Sequence, residues 1–354
     1  MVVDVGDVEK MSFYTHPYST KPIYPSPLKQ LVWWLLGIAC IVLATVRKRS
    51  AMIGSSNVIV LEPFGMGDVV ALQPLVWALC EEGKTVTVLC REAWLPILRP
   101  HPSLRTIGLR QDFKFTKHFL DLLAVLKHCH TGSSVTGIDP RGDIRSVLAF
   151  WLAGCGRVET LECYFTANDC PIPQRAATVV HPINRTVERY KLNQVFTTLP
   201  LEKPTLEHLR KPTLPHAQKT VGFITNTPWE GKRWNKWTEL ETALTAQSWM
   251  VKYLDCGSVQ EWVEELPTCD VLISVNTGPM HIGAALEIPM VVLDGSSRLP
   301  LWAPVSDTAI VVHYQNDVDC APCHQTGRCR VTNSCMNRIT VDDVLAALAR
   351  LAQS

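Results

Sequence analysis

The stretch from Val271 to Leu286 constrains the fold of this chain more than any other. It begins with an apolar run that is typical of a buried strand, breaks at a short polar turn and continues into an alanine-rich helix. Pro279 suits the first turn of a helix, where its missing N–H leaves no hydrogen bond unmade. Free N–H groups at such a helix N-terminus favour a phosphate. Taken alone, the stretch equally fits an ordinary parallel strand and crossover helix with His281 on the surface.

Composition places the chain among globular proteins of ordinary size. Its 354 residues are enough for two domains, and its 34 basic and 33 acidic side chains give no electrostatic sign of nucleic-acid binding. Thirteen cysteines in a chain of this length are too few for a secreted disulfide scaffold. We therefore expect a protein that folds around hydrophobic cores in a reducing compartment.

The N-terminal region predicts an attachment to a membrane. Residues 1–27 form a polar tail, and residues 28–50 contain an apolar segment that is uncharged from 31 to 46 and is followed by three basic residues. Such a segment approaches the roughly 20 residues that cross a bilayer. Basic residues after it predict a cytoplasmic body by the positive-inside rule. A membrane anchor, spanning or partly inserted, is the first interpretation, and an apolar helix packed on the globular body is the alternative.

Residues 51–180 have the pattern of an α/β domain. An apolar strand over 57–61 runs into a turn that contains Gly65, Gly67 and Asp68, and a helical pattern follows. The glycines allow a tight turn and a close approach of backbone to a ligand. Asp68 stands where a helix N-cap is expected, so capping is its alternative role. Further strands and helices alternate, which predicts a parallel sheet with helices on both faces.

A proline-rich stretch over 181–218 predicts a linker, and residues 219–354 begin a second alternating series. Its first strand is followed by a loop that contains Lys232 and Trp234. Without further information this loop reads as a solvated basic turn that the tryptophan anchors.

Four cysteines near the C-terminus stand apart from the singly spaced ones. They are Cys320, Cys323, Cys329 and Cys335. Four thiols within so short a stretch have the composition of a structural Zn or Fe site, although the second pair lacks the Cys-x-x-Cys spacing. Free buried thiols or a disulfide are the alternatives.

These motifs occur in the same order in a known family. The Gly67–Val70 stretch, Lys232 with Trp234, the Asn276–His281 turn and the terminal cysteines resemble the signatures of glycosyltransferase family 9, the bacterial heptosyltransferases. The resemblance extends over most of the chain from Val58 onward. It implies an α/β fold of the GT-B type, with two Rossmann-like parallel-sheet domains facing a cleft. The N-terminal apolar helix is an addition, since most of the family lacks it.

The resemblance also implies roles for individual residues. Asp68 is the expected general base, and Lys232 is expected to hold the diphosphate of the donor. The donor contacts that it implies are Thr225, Thr227, Lys232, Asn276, Thr277, Gly278, Met280 and His281. The acceptor contacts are Gly65, Gly67, Asp139 and Arg145.

Two positions depart from the family pattern. Glu62 stands where members often have Arg, and Asn276 stands where they usually have Asp. The first departure affects acceptor contacts. The second removes a charge beside the donor, so it predicts either a changed sugar selectivity or a weakened activity. The segment that carries a ribose-binding Glu in the family is short here, and Glu261 is the candidate in it.

The function implied is inverting transfer of a heptose from ADP-heptose to a hydroxyl of a lipopolysaccharide core or related surface glycan. No cofactor is expected for catalysis, and the partners are a nucleotide-sugar donor, a glycolipid acceptor and the cytoplasmic face of the inner membrane, with residues 28–46 as the anchor. The alternatives are a GT-B transferase that uses another nucleotide sugar and a catalytically degenerate member. A nucleotide-dependent oxidoreductase is disfavoured, because Val70 replaces the third glycine of the dinucleotide-binding motif.

Overall fold

The computed structural model describes residues 27–47, 55–129, 135–162, 172–210, 218–323 and 334–353. The chain divides into two compact units between Pro204 and Thr205. Each unit contains one parallel sheet covered by helices. The predicted α/β class with two Rossmann-like sheets is therefore confirmed.

The N-terminal unit is built on six strands that pair in parallel. They are β1 (Asn57–Glu62), β2 (Thr85–Arg91), β3 (Leu104–Leu109), β4 (Val135–Asp139), β5 (Arg157–Leu161) and β6 (Val179–His181). Their spatial order is β3-β2-β1-β4-β5-β6, which is the Rossmann order. Because the order reverses between β1 and β4, the loops after these two strands diverge and leave a crevice at the carboxyl edge of the sheet.

In the described part of this unit the α-helices are α1 (Pro27–Arg47), α2 (Met66–Glu81), α3 (Phe115–Cys129) and α4 (Ile144–Ala153). Helix α4 begins at the N-cap Asp143, whose carboxylate accepts from the Arg145 amide, and ends at Gly154 in the left-handed conformation with φ 103°. Both α1 and α3 pack against α4. Short 3-10 helices span Glu92–Ile97 and Arg189–Phe196, and the second packs against α2.

The predicted apolar segment is the helix α1. Its residues Cys40 and Ala44 are buried in the core that α4 and the sheet share. The face of α1 opposite to these residues is exposed. Within the described ranges, no helix has both the length and the apolarity that a membrane span requires.

The C-terminal unit has five parallel strands. They are β7 (Thr220–Ile224), β8 (Met250–Tyr253), β9 (Val271–Val275), β10 (Met290–Leu293) and β11 (Ala309–Val312). The order β11-β10-β9-β7-β8 is that of a doubly wound sheet, and it reverses between β7 and β9. Both central strands are buried along their whole length.

The helices of this unit are α5 (Trp237–Ala246), α6 (Val259–Glu265), α7 (Gly278–Ala285), α8 (Cys335–Arg338) and α9 (Val341–Leu351). The predicted strand, turn and helix of the stretch 271–286 are β9, its turn and α7. The Thr340 hydroxyl caps α9 by accepting from the Asp343 amide, and the Asp343 carboxylate accepts from the Thr340 amide. The apolar side of α9 packs on β10 and β11, which closes one face of the core.

Candidate functional site

Each sheet places its motif residues at the strand pair where its order reverses. In the N-terminal unit, Asp68 follows β1 and residues 139–145 follow β4. In the C-terminal unit, Lys232 follows β7 and residues 276–281 follow β9. Ligands of doubly wound sheets bind at this position, outside the carboxyl ends of the strands. The topology thus supports a separate ligand-binding edge in each unit.

Asp68 lies in the first turn of α2 and uses both carboxylate oxygens. Its Oδ2 accepts from the Gly65 amide at 3.0 Å, which closes the helix N-terminus. Its Oδ1 accepts from the Arg141 guanidinium at 3.2 Å. Asp68 is therefore not the N-cap of α2, which is Gly65, but the third helical residue, whose carboxylate accepts from the N-cap amide and also lies beside a cation. Each carboxylate oxygen has two lone pairs, so Asp68 can still accept a hydrogen bond from a hydroxyl group.

Arg141 is the residue of this edge that the sequence analysis missed. Its guanidinium lies over the Phe64 ring at 3.6 Å from the centroid while it donates to Asp68. The turn that carries Phe64 is held by Arg91, which donates to the Pro63 carbonyl at 3.0 Å, and by the Trp94 indole, which donates to the Phe64 carbonyl at 3.4 Å. The only sequence signal for Arg141 was its place directly after β4.

Asp139 stabilises the loop after β4. Its oxygens accept from the Asp143 amide at 2.6 Å, the Thr160 hydroxyl at 2.7 Å and the Arg141 amide at 3.3 Å. Burial, with the Asp143 carboxylate, raises the pKa of Asp139 to about 7. The side chain is fully buried, so the contacts seen are structural, and its role in binding an acceptor stays a prediction.

Arg145 is also engaged within its own unit. Its guanidinium donates to the Asp143 carboxylate at 2.5 Å and lies 4.5 Å from the Phe115 ring centroid. The side chain is partly exposed. Its predicted contact with an acceptor therefore stays a prediction, and the structure adds Arg141 as the cation that is next to Asp68.

A buried pair of a carboxyl group and a guanidinium lies beneath this edge. Glu62 ends β1, and its Oε2 is 3.6 Å from the guanidinium of Arg189. Arg189 also donates to the Pro140 carbonyl at 2.9 Å and to Asn193 at 3.1 Å. Glu62, which departs from the family pattern, thus has a structural partner from the segment 189–196, which was predicted only as part of a linker.

Lys232 reaches the N-terminal end of α7. It closes a 3-10 helix, Glu230–Lys232, and its ammonium donates to the Asn276 carbonyl at 3.0 Å. Trp234, two residues later, is buried and donates its indole N–H to the Ile339 carbonyl at 3.0 Å. The tryptophan therefore anchors the loop so that the lysine lies beside the helix.

The side-chain amide of Asn276 donates to two buried acceptors. Its Nδ2 donates to the Asp294 carboxylate at 2.8 Å and to the Trp302 carbonyl at 2.7 Å. An aspartate at this position would bring acceptor oxygens against two acceptors, one of them charged. The amide that stands here in place of the family's aspartate can therefore donate to both acceptors, which a carboxylate could not do.

The N-terminus of α7 is suited to an anion. Thr277 is the N-cap in an extended conformation, and its hydroxyl makes no capping bond. Gly278 and Pro279 form the first turn with partial exposure, and Met280 is buried beneath them. His281 packs edge-on to Trp302, with 6.2 Å between the ring centroids. The helix N-terminus, with the Lys232 ammonium beside it, therefore presents positive charge at the carboxyl edge of β9.

A cavity of about 510 Å³ lies at the carboxyl ends of β7 and β8. Its lining comes from three segments: Thr225, Asn226 and Thr227; Arg233, Trp234 and Trp237; and Tyr253, Leu254 and Asp255. Thr225 is partly exposed, whereas the Thr227 hydroxyl is buried and accepts from the Trp229 amide. The carboxylate of Glu261 instead accepts from the amide of Gly257 and the hydroxyl of Ser258 at the start of α6.

The described part of the chain contains no group of three or more His, Cys, Asp or Glu side chains that could hold a metal ion. Cys329 lies outside the described residues. Burial raises the pKa of the Cys335 thiol to about 12, with smaller contributions from Asp294, Cys323 and Cys320. Gly295 packs against Cys335 so closely that a side chain at 295 would overlap its sulfur. The predicted metal site is therefore not assembled by the three described thiols.

Comparison with solved structures places this fold. The family 9 glycosyltransferase from Veillonella parvula DSM 2008 aligns with TM-score 0.61 and 14% identity over 84% of this chain and 97% of its own. E. coli ADP-heptose LPS heptosyltransferase II aligns with TM-score 0.59 and 18% identity over 84% of this chain and 98% of its own. E. coli heptosyltransferase WaaC with ADP aligns with TM-score 0.61 and 16% identity over 83% of this chain and 99% of its own. At these identities the likeness establishes the fold.

A sequence model of glycosyltransferase family 9 (heptosyltransferase) matches residues 256–331, from α6 through β11. Comparison with curated proteins found no match. The two Rossmann-like sheets and this partial match are the features that the chain shares with the family 9 glycosyltransferases. Residues 256–331 are thus similar to glycosyltransferase family 9, and the chain shares its fold with the solved heptosyltransferases.

Proposed function

We propose that this protein transfers a heptose from ADP-heptose, with inversion, to a hydroxyl of a lipopolysaccharide core or related surface glycan. The observation that carries the proposal is the position of the Lys232 ammonium at the N-terminal end of α7. A cation and a helix N-terminus at one place favour two linked phosphates. This is the part of a nucleotide-sugar donor that every such transferase must hold.

The C-terminal unit supplies the donor site. The diphosphate lies between Lys232 and the Thr277–His281 turn, and the nucleoside occupies the cavity at the ends of β7 and β8. Negative charge builds on the diphosphate as the bond to the sugar breaks, and the ammonium of Lys232 stabilises that charge. Two of the similar structures are named for this chemistry, one as an ADP-heptose transferase and one as a complex with ADP. ADP-heptose is the proposed donor on that ground.

The N-terminal unit supplies the base. Asp68 takes the proton of the acceptor hydroxyl as its oxygen attacks the anomeric carbon, and the bond from that carbon to the diphosphate breaks on the opposite face. A positioned carboxylate contributes about 10²–10⁴-fold to such a step. Arg141 orients the carboxylate of Asp68 through the bond of 3.2 Å. No metal takes part in this step.

The acceptor that we propose is a glycolipid, and the proposed location is the cytoplasmic face of the inner membrane, with residues 28–46 as the attachment. The exposed apolar face of α1 supports this location. A transferase that acts on a lipid-linked glycan gains from being held at the surface where its acceptor lies.

A structural Zn or Fe held by Cys320, Cys323, Cys329 and Cys335 is a separate proposal. The sequence pattern supports it. Metal analysis of the purified protein tests it. About one equivalent of metal, lost in Cys335→Ser, is expected. A metal content that is unchanged in Cys335→Ser would contradict the proposal.

Donor binding tests the proposed function. The wild type, Lys232→Ala and Asp68→Asn are compared by thermal shift and calorimetry with ADP-heptose and with GDP- and UDP-sugars. We expect only ADP-heptose to stabilise the wild type and Asp68→Asn, and Lys232→Ala to lose at least about tenfold in affinity, or 1.4 kcal/mol. Transfer is expected to fail in Asp68→Asn while donor binding remains.

The other outcomes separate the alternatives. If a different nucleotide sugar binds best, the fold and the diphosphate site stand, and the donor proposed here is wrong. If donors bind but no acceptor is glycosylated, the degenerate-member alternative gains support, with Glu62 as its first candidate cause. If no nucleotide sugar binds the folded chain, the transferase function proposed here is wrong.

A further inference from the structure

The outer face of α1 is apolar along its length. It consists of Leu28, Leu31, Leu35, Ile38, Val42 and Val46, which recur every three or four residues on one side of the helix. These side chains are between 40% and 72% exposed. A helix on the surface of a water-soluble protein normally turns polar residues outward. The outer face of α1 is thus an exposed apolar strip roughly 30 Å long.

The inner face of α1 is attached to the N-terminal unit. Gly37, Cys40 and Ala44 form a stripe of small residues that is buried against that unit. A side chain at Gly37 would lie 2.9 Å from the Pro173 ring, and the Cys40 thiol points at the Ile144 carbonyl at 3.9 Å. Close packing along this stripe keeps one side of α1 on protein while the other side is open.

We propose that the outer face of α1 docks in the plane of an anionic lipid bilayer, with the helix axis parallel to the membrane and the inner face still packed on α4. The proposal rests on the membrane location given above and deepens it, since it assigns the surface and the mode of attachment. Spanning the bilayer would require α1 to leave α4 and to expose a buried core.

Charge favours an anionic membrane as the occupant. In the sequence, Lys29 lies at the start of the apolar strip, Arg47, Lys48 and Arg49 follow it, and no acidic residue stands between Glu9 and Glu62. Basic residues beside an apolar helix face are attracted to anionic headgroups at about 1 kcal/mol each. Trp34 is 60% exposed near the first turns, and tryptophan is enriched at membrane interfaces.

A second copy of the chain fits this face less well. Two copies of α1 packed on each other, parallel or antiparallel, bring only basic residues together at their ends, because α1 has no acidic residue. Like charges at both ends oppose pairing in either orientation. A bilayer meets the same ends with opposite charge.

Vesicle flotation of the full chain tests the proposal. The vesicles are phosphatidylcholine alone, or phosphatidylcholine with about one third phosphatidylglycerol. We expect binding to the anionic vesicles and a loss of about tenfold or more in Leu35→Glu/Val42→Glu. The matched control is Val195→Glu/Leu199→Glu, which replaces an exposed valine and leucine at and after the 3-10 helix 189–196. The control is expected to bind like the wild type.

Thermal melting accompanies each variant, and if the double variant melts below the wild type, Ile38→Gln tests the same face. Equal binding by wild type and the outer-face variants overturns the proposal. A dimer that these substitutions dissociate, in a chain that does not bind vesicles, overturns it in favour of a second copy.

Protease protection distinguishes docking in the plane from spanning. The full chain with an N-terminal epitope tag is expressed in bacteria, and inner-membrane vesicles with the cytoplasmic side outward are treated with protease. We expect the tag to be digested, since an in-plane helix leaves both ends outside. A protected tag contradicts in-plane docking. Donor binding is measured on the same preparations, so that a failure of the proposed transfer is seen separately from a failure of membrane docking.

Discussion

Glu62 ends β1 with a fully buried carboxyl group. Burial, and to a lesser degree the Asp68 carboxylate, raises the pKa of Glu62 to about 8, while Arg141 and Arg189 act in the opposite direction. The group therefore holds its proton at neutral pH. A neutral Glu62 leaves Arg141 to pair with Asp68, which is the arrangement that the proposed base requires.

Glu62→Gln is expected to remove a pH dependence of stability. In the unfolded chain Glu62 loses its proton near pH 4.3, so its contribution to stability is complete below that pH and is lost as pH rises through about 8. The free energy of unfolding of the variant should therefore rise relative to wild type from pH 5 to pH 8.5, by about 1.4 kcal/mol per unit of pKa shift. Denaturant titration across this range measures it.

The control for Glu62 is Glu92→Gln, which changes an exposed carboxyl group in the same unit. Its difference from wild type gives the effect of replacing a surface carboxyl group by an amide in the same unit. Asp139 also has a raised pKa and is present in all three proteins. If the difference in free energy of unfolding between Glu62→Gln and wild type does not change with pH, Glu62 is ionised in the folded protein.

Asn276→Asp is expected to destabilise the C-terminal unit at neutral pH. The new carboxylate would face that of Asp294 at about the present 2.8 Å and the Trp302 carbonyl at 2.7 Å. Buried like charges at such a distance cost about 2–4 kcal/mol, and the cost falls at acidic pH because one carboxyl group takes up a proton. Thermal melting between pH 4.5 and pH 8 measures it.

The exchange variant Asn276→Asp/Asp294→Asn serves as the control. It keeps one amide and one carboxylate in contact, so it should recover part of the lost stability. Recovery should be incomplete, since the Trp302 carbonyl still meets an acceptor oxygen. If Asn276→Asp melts like the wild type at pH 8, the amide at position 276 does not have the structural role inferred here.

At the scale of elements, α1 illustrates how a small residue decides packing. Gly37 in a helix interior normally costs about 1 kcal/mol relative to Ala. Here a Cβ at this position would lie 2.9 Å from the Cγ and 3.3 Å from the Cδ of Pro173. Close approach of α1 to its unit therefore depends on the missing side chain.

Gly37→Ala is expected to lower the melting temperature, although helix propensity alone predicts an increase. Overpacking of a tight contact costs about 1–3 kcal/mol, which exceeds the gain in propensity. Val42→Ala on the exposed face of the same helix is the control and should change stability little. Calorimetry of the two variants distinguishes the effects, and a stabilised Gly37→Ala would show that α1 does not pack closely at this point.

At the scale of the whole chain, each unit contains a complete sheet and its own core. In the C-terminal unit, the core is formed by residues from Val221 to Leu348. The chain from Thr205 enters this unit by a bond from the Leu206 amide to the Ala285 carbonyl at 3.0 Å. Lys232, Asn276 and the α7 N-terminus all belong to the same unit.

Residues 205–354 expressed alone are expected to fold and to bind ADP. The reason is that the whole diphosphate site and the cavity at β7 and β8 come from this segment. Calorimetry should give an affinity within about tenfold of the full chain, and Lys232→Ala in the fragment should weaken it. A folded fragment that does not bind ADP, beside a full chain that does, would show that the N-terminal unit supplies donor contacts.

Local features of this protein were predictable from its sequence. The strand and helix of the stretch 271–286, the N-terminal helix and the Thr340 cap of α9 follow from apolar period, turn residues and capping preference, which act between residues a few positions apart. The resemblance to family 9 then predicted roles for Lys232 and Asp68, because short motifs carry these residues at recognisable turns.

Contacts between distant segments were not predictable in this way. Arg141 and Asp68 are 73 residues apart, and they meet because β1 and β4 are neighbours at the reversal of the sheet order. Asn276 looked like a lost charge until Asp294 and Trp302 were seen to surround its amide. The two faces of α1 are both apolar in sequence, so no periodicity distinguishes them. Only packing on α4 buries one face and exposes the other, because burial depends on what lies opposite a side chain and not on the side chain alone.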